Sequence, residues 1–214
     1  MRSGSYVISQ ITSKIHREAL NLQVKKYNGI YKVKHFGCRQ QFIAMAFAQL
    51  TWREGLRDIV DCLNAQPEAL HHLGFTGPLA KSPLADANES RDWRIWEGVA
   101  KGLMILPAGH IPELYRMRWQ IELFFRWIKQ HLKIRHFYGN SKNAVKTQIL
   151  ISVIVYLIVA ILHKELKLPA ILHRTFQILS TCPFSQITLH ELLMRSYFKL
   201  SNMLDFNQLE FNNL

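Results

Sequence analysis

Tyr115, Arg118, Glu122 and Lys129 stand out in the stretch LYRMRWQIELFFRWIKQH, residues 114–131, because its other positions are largely bulky, apolar or aromatic. On a helix turning roughly 100° per residue, these four fall within an arc of about 60°. Leu114, Ile121, Phe125, Ile128 and Leu132 gather on the adjoining arc. The spacing therefore predicts a helix that packs on one side. Beside that side it holds one carboxylate among cationic and phenolic hydrogen-bond donors, an arrangement that calls for a partner. The same spacing also arises on an exposed helix face carrying ordinary charge neighbours.

The charge balance says what kind of partner. The 214 residues include 27 Lys and Arg against 15 Asp and Glu, a net charge of +12, which favours polyanions: nucleic acid first, anionic lipid second. Arg126, Lys133, Arg135, Lys142 and Lys146 continue the basic character, and Glu113 and Glu122 are the only acids between residues 111 and 148. That stretch suits a phosphate-binding surface, with solvated lysines and arginines as the plainer alternative. Trp119, Phe124 and Trp127 could stack on unpaired bases, but a core role explains them better. His71, His72, His131 and His136 have no cysteine or carboxylate at ligand spacing, so no metal site is expected there. Asp86, Glu89 and Asp92 lie three apart, which capping and first-turn placement explain.

Composition predicts a folded chain: 49% of residues are hydrophobic and 20% charged. Cys38, Cys62 and Cys182 are odd in number and far apart, as expected for reduced thiols in a cytoplasm. The opening MRSGSYVISQITSK has no apolar stretch of the kind that directs secretion. The run ILISVIVYLIVAIL, residues 149–162, is short for a bilayer span and is flanked by Lys146, His163 and Lys164. It reads as a buried helix covered on nearly all sides, with a membrane-associated protein as the weakest alternative.

Helical patterning dominates the rest. One amphipathic helix is expected over residues 5–26, ending at the Asn28-Gly29 turn. Two helices follow in FGCRQQFIAMAFAQLTWREGLRDIVDCLNAQ, with Thr51 and Glu54 as a capping box for the second. HHLGFTGPLAKSP reads as a loop, and residues 88–103 as a helix with Trp93, Trp96, Val99 and Ala100 on one face. Pro112 suits the first turn of the Tyr115 helix, FYGNSKNA breaks it, and the apolar helix comes next. Pro169 opens another helix through Leu179, and Thr188 with Glu191 caps a last one toward Lys199. The tail SNMLDFNQLEFNNL is expected to be loose, and residues 31–36 are the only fair strand candidate.

Tyr115-x2-Arg118-x3-Glu122-x6-Lys129 resembles the YREK signature of DDE transposases of the IS-four type, a large group of bacterial insertion-sequence enzymes. The flanks extend the likeness: ELYRMRWQIELFFRWIKQHLKIRHFYGNSKNAVKTQI is similar to that family's stretch around its catalytic glutamate. YKVKHFGCRQQFIAMAFAQLTWREGLRDIVDCLNAQ through LADANESRDWRIWE resembles the N-terminal domain of one subgroup. In such enzymes two aspartates on an RNase H-like sheet and one glutamate on a following helix bind two divalent metals for phosphodiester cleavage and strand transfer. The resemblance implies that Glu122 is the metal-binding catalytic carboxylate. It implies that Tyr115, Arg118 and Lys129 grip phosphates of transposon-end DNA, with Arg126 and Lys133 adding to that DNA-binding surface.

The sequence departs from the family where the sheet should be. Residues near 104 lead almost directly into ILPAGHIPELY, and the five aspartates are Asp58, Asp61, Asp86, Asp92 and Asp205, none following a strand-like run. One glutamate cannot organise two Mg²⁺ ions, so the metal site is expected to be incomplete and Mg²⁺, used by intact relatives, not stably held. The expected chain is mainly α: two helical lobes, remnant of a transposase whose RNase H-like sheet is largely missing. Its N-terminal helical domain would span 1–104 and the part carrying the YREK helix 105–214, loosely joined. The expected function is DNA binding related to transposition without strand transfer, or, alternatively, regulation of transposition through element ends or mixed oligomers. The expected partners are transposon ends and a second or full-length transposase copy, in the cytoplasm and at the nucleoid, with neither a membrane nor a small-molecule substrate.

Overall fold

The computed structural model describes residues 5–31, 33, 36–105, 136–168 and 172–197. Among these the chain is mainly helical and has no strand. Helices α1 (Val7–Thr12), α2 (Arg17–Lys26), α3 (Cys38–Leu50), α4 (Leu56–Asn64), α5 (Pro67–His72), α6 (Lys81–Ser90) and α7 (Arg94–Ile105) come first. Helices α8 (Lys142–Glu165) and α9 (Leu172–Thr181) follow, then a helical segment at 189–197.

α8 is the element the others cover. Its interior is rich in β-branched Ile and Val, which lose rotamer freedom on a helix, so burial rather than propensity must hold it. Ile151, Ile154, Val155, Ile158 and Val159 are fully buried, and no residue from 143 to 163 is exposed. By length and composition alone the helix could cross a membrane. Here α1, α3, α6, α7 and α9 pack around it, as the expectation of a covered helix required. α3 is the second buried helix: Phe42, Ile43, Ala44, Met45, Ala46, Phe47 and Ala48 are all at most 2% exposed. Residues before 105 and after 136 contribute to one apolar cluster.

The two ends of the described chain are tied together by backbone. α1 has no side-chain cap, and instead Val7 and Ile8 donate their N–H groups to the carbonyls of Ser185 (2.9 Å) and Pro183 (3.0 Å). Gln10 donates to the Ile187 carbonyl and accepts from Leu189 N–H. Orphan donors at a helix start are thereby satisfied from a distant loop.

Several local expectations need correction. The single helix over 5–26 is split, because the Thr12 and Ser13 hydroxyls turn back to the carbonyls of Ile8 and Gln10 while Ile15 dives into the core. Thr51 does not cap α4; its hydroxyl bonds the Phe47 carbonyl at the end of α3, and Gly55 begins α4. Asp58 instead reaches back to Glu54 N–H and to Arg53. The helix over 88–103 is broken at residues 91–93 into α6 and α7, and α6 takes up the KSP predicted as loop. Asp86 and Glu89 therefore sit in the C-terminal half of α6. Tyr31, Val33 and Phe36 lie in turn and loop; the other three residues of the strand candidate are outside the described set. The Asn28-Gly29 turn stands, with Asn28 at φ 52°. Ser141 caps α8 by accepting from Ala144 N–H, and Thr188 caps 189–197 by accepting from Glu191 N–H.

The break at 91–93 is held by Asn143 in the first turn of α8. Its amide nitrogen donates to the carbonyls of Asn88 (2.9 Å) and Arg91 (2.6 Å), and its oxygen accepts from Trp93 N–H (3.2 Å). One side chain thus satisfies the end of α6 and the approach to α7, where Arg94 N–H is taken by Asp92. Ile154→Ala should cost about 2–5 kcal/mol, and Asn143→Ala about 1–3 kcal/mol by stranding those backbone groups. Urea denaturation measures both; a midpoint unchanged in either variant contradicts the packing described.

Candidate nucleic-acid interface

Behind the α6–α7 corner lies a polar network in an otherwise apolar interior. Gln41 on α3 donates to the Asn88 side chain (2.8 Å) and accepts from Arg91 Nη1 (3.0 Å), while Arg91 Nη2 donates to the Phe36 carbonyl. Gln41, Asn88 and Arg91 are all buried. Burial pulls the Arg91 guanidinium below its ordinary value. Among the described residues no carboxylate pairs with it, and its Cζ lies over the Phe36 ring, 5.5 Å from the centroid. Neutral acceptors and a ring face compensate the charge. Burial also pushes the neighbouring Cys38 thiol up, the opposite of activation for nucleophilic work, with Arg91 offsetting part of the rise. All three cysteines are free thiols.

The same corner brings cations and aromatic rings together on the outside. Lys146 stands one helical turn beyond Asn143 on α8, so the joint that fixes Trp93 also sets its ring under Lys146 Nζ, 3.9 Å from the centroid. The adjacent Arg94 lies over the Tyr27 ring at 5.2 Å, and Lys26 Nζ is 5.3 Å from the same ring. Asp92 grips Arg94 through both its oxygens, and this pairing holds its carboxyl below the usual range. Lys142 is exposed one turn before Lys146, and the first turn of α8 contains no acid. Three cations of this surface, Lys26, Arg94 and Lys146, thus lie on ring faces.

Two concavities flank these elements. An open cleft of about 860 Å³ is walled by Tyr27, Tyr31, Phe36, Asp86, Arg91 and Asp92. A smaller, largely apolar groove of about 380 Å³ runs between α2 and α7, past Leu22, Gly98 and Gly102. On the far side of α4, the Tyr138 hydroxyl donates to the Arg53 carbonyl (2.6 Å). Burial pushes that phenol up to about 12, so it stays protonated across the physiological range.

Tyr115, Arg118, Glu122, Arg126, Lys129 and Lys133 all lie outside the described residues, as do Trp119, Phe124, Trp127, Arg135 and Asp205. Of the basic residues singled out beyond them, Lys142 and Lys146 are described; Lys146 lies on the Trp93 ring and Lys142 is exposed one turn before it. Sequence patterning missed Lys26, Tyr27 and Arg94, because nothing local announces that α2 and α7 pack side by side. Of the aspartates, Asp58 is paired with Arg53 and Asp92 with Arg94. Among the described residues, which do not include Glu122, no three of His, Cys, Asp and Glu are grouped as metal ligands.

Comparison with known proteins gives a consistent direction. The model of a domain of unknown function, DUF4372, matches residues 3–76. The chain is 58% identical over 55 residues to a Sinorhizobium fredii protein named as a transposase, y4zB, covering 26% of this chain and 15% of that one. It is 37% identical over 82 residues to the Geobacillus stearothermophilus "Probable transposase for insertion sequence element IS5377", covering 38% and 20% respectively. A Synechocystis protein named as a transposase for insertion sequence element IS4SA is 42% identical over 52 residues, covering 24% and 15%. The chain thus spans a fifth or less of the length of the curated relatives it matches. No solved structure matches. The chain is similar to proteins named as transposases of insertion elements, and part of it matches the DUF4372 domain.

Proposed function

We propose that this chain is a transposition-related, DNA-binding protein of the IS-four DDE type, shortened internally so that the RNase H-like sheet and its two aspartates are missing. The observation that carries this reading is the similarity to three proteins named as insertion-element transposases, joined to the Tyr115, Arg118, Glu122 and Lys129 spacing. On this reading Glu122 is the surviving catalytic carboxylate of an incomplete Mg²⁺ site. Tyr115, Arg118, Arg126, Lys129 and Lys133 contact phosphates, which suits a chain of net charge +12. Because the sequence has no aspartate following a strand-like run to join Glu122, this reading assigns no strand transfer to the chain acting alone. Its partners are transposon ends and a second or full-length transposase copy, met in the cytoplasm at the nucleoid.

A gel-shift titration on duplexes carrying the inverted ends beside the reading frame, against random duplex, tests this. Binding should fall steeply with salt, and Arg118→Ala or Lys129→Ala should each lower the slope of log K against log salt by about one. Preference for the element ends would assign a regulatory occupancy of those ends. No retention of any duplex at low salt would overturn the DNA-binding reading, and Mg²⁺-dependent nicking by the purified chain would overturn the inactive one.

A further inference from the structure

Two cation–ring groups stand side by side at the corner that Asn143 pins: Lys146 on Trp93, and, from the next residue, Arg94 on Tyr27 with Lys26 on the same ring; Lys142 is exposed one turn before Lys146. Lys146 and Lys26 rest on ring faces rather than on carboxylates, and neither has an ion pair among the described residues. A lysine held on a ring has lost part of its rotamer freedom already, so less entropy remains to be lost when it meets a ligand. Its ammonium is not neutralised by the ring, so its charge stays available. The acid nearest in sequence, Asp92, is turned to Arg94 and held there by three hydrogen bonds. Backbone donors at the α8 start add partial positive charge; the turn itself contains no acid, and the Glu89 carboxylate of α6 lies beside Gly139 just before it.

We propose that this corner, with Lys142 and Lys146 at its centre and Lys26 at its edge, binds the phosphodiester backbone of a nucleic-acid strand. This deepens the DNA-binding reading above by naming a second contact surface, separate from the Tyr115–Lys133 region. Rings fix the ammonium groups of Lys146 and Lys26, and the strand's phosphates supply the counter-charge that no carboxylate among the described residues gives those two. The contact is to backbone, so it positions a strand without reading its bases.

The test removes equal charge from the start of α8 and from its end with the turn that follows. Lys142→Gln/Lys146→Gln changes the corner; Lys164→Gln/Lys167→Gln changes exposed lysines about 27 Å away, taking 1.5 Å per residue between 146 and 164. Both variants and the wild type are titrated with fluorescent duplex and with single-stranded DNA over a salt series, after circular dichroism has matched their spectra. The corner variant should lose about tenfold or more in affinity and about two in salt slope, while the distal variant keeps the wild-type slope. A larger loss on duplex assigns double-stranded DNA, and a larger loss on the single strand assigns an unpaired one. Equal losses in both variants, or a corner variant that binds like wild type, overturn this surface while leaving the DNA-binding reading intact. A wild type that binds no nucleic acid, or a corner variant that loses only its attachment to anionic vesicles, overturns the proposal.

Discussion

Burial of α8 is the constraint on which the rest of the molecule depends. A helix of 24 residues, thick with Ile and Val, is stable in water only if much of its surface is taken out of water. Five other helices do this, and their own apolar faces find their partners on it. α3 and α7 pack along it, and on α9 the Phe176 ring stacks on Tyr156 of α8 at 6.4 Å. Backbone bonds from 183–189 to α1 then close the arrangement, so elements from both ends of the described chain share one interior.

Polar groups follow from that packing rather than preceding it. The start of α8 cannot be apolar, since Asn143 must answer the unmet carbonyls where α6 ends and the N–H where α7 approaches. Once Asn143 is fixed, Lys146 lies over Trp93 by helical geometry, and Arg94 follows onto Tyr27. Inside the same corner, Arg91 is held by Gln41 and the Phe36 carbonyl, leaving the outer surface to lysines. The excess positive charge of the chain is thus partly organised by the fold and not merely spread over it. α8 is long and apolar enough to cross a membrane, and here five helices pack against it.

What was legible in the sequence was whatever depended on local or long-range hydrophobic pattern. The uninterrupted apolar run announced a covered helix, Asn28-Gly29 a turn, and Thr188 with Glu191 a helix start. Features set by tertiary demands were not legible. The pattern over 5–26 looked continuous, yet Ile15 is needed in the core and the chain bends to deliver it. The pattern over 88–103 also looked continuous, and only Asn143, more than forty residues away, shows why it breaks. Thr51 and Glu54 carry the letters of a capping box, but Thr51 is spent on the carbonyl of Phe47. The Tyr115–Lys129 helix, the strongest chemical signal in the sequence, lies outside the described residues. The cation–aromatic corner carried no comparable signal, because its members become neighbours only through the packing of α2, α7 and α8.

Hydrogen exchange along α8 in detergent-free buffer tests most directly whether this helix is the internal support of a water-soluble fold. Amides of residues 151–159 should exchange only through global unfolding, with protection as high as any in the chain. Rapid exchange of those amides in water, with protection gained only on adding detergent or lipid, would contradict it and move α8 from the core to a membrane.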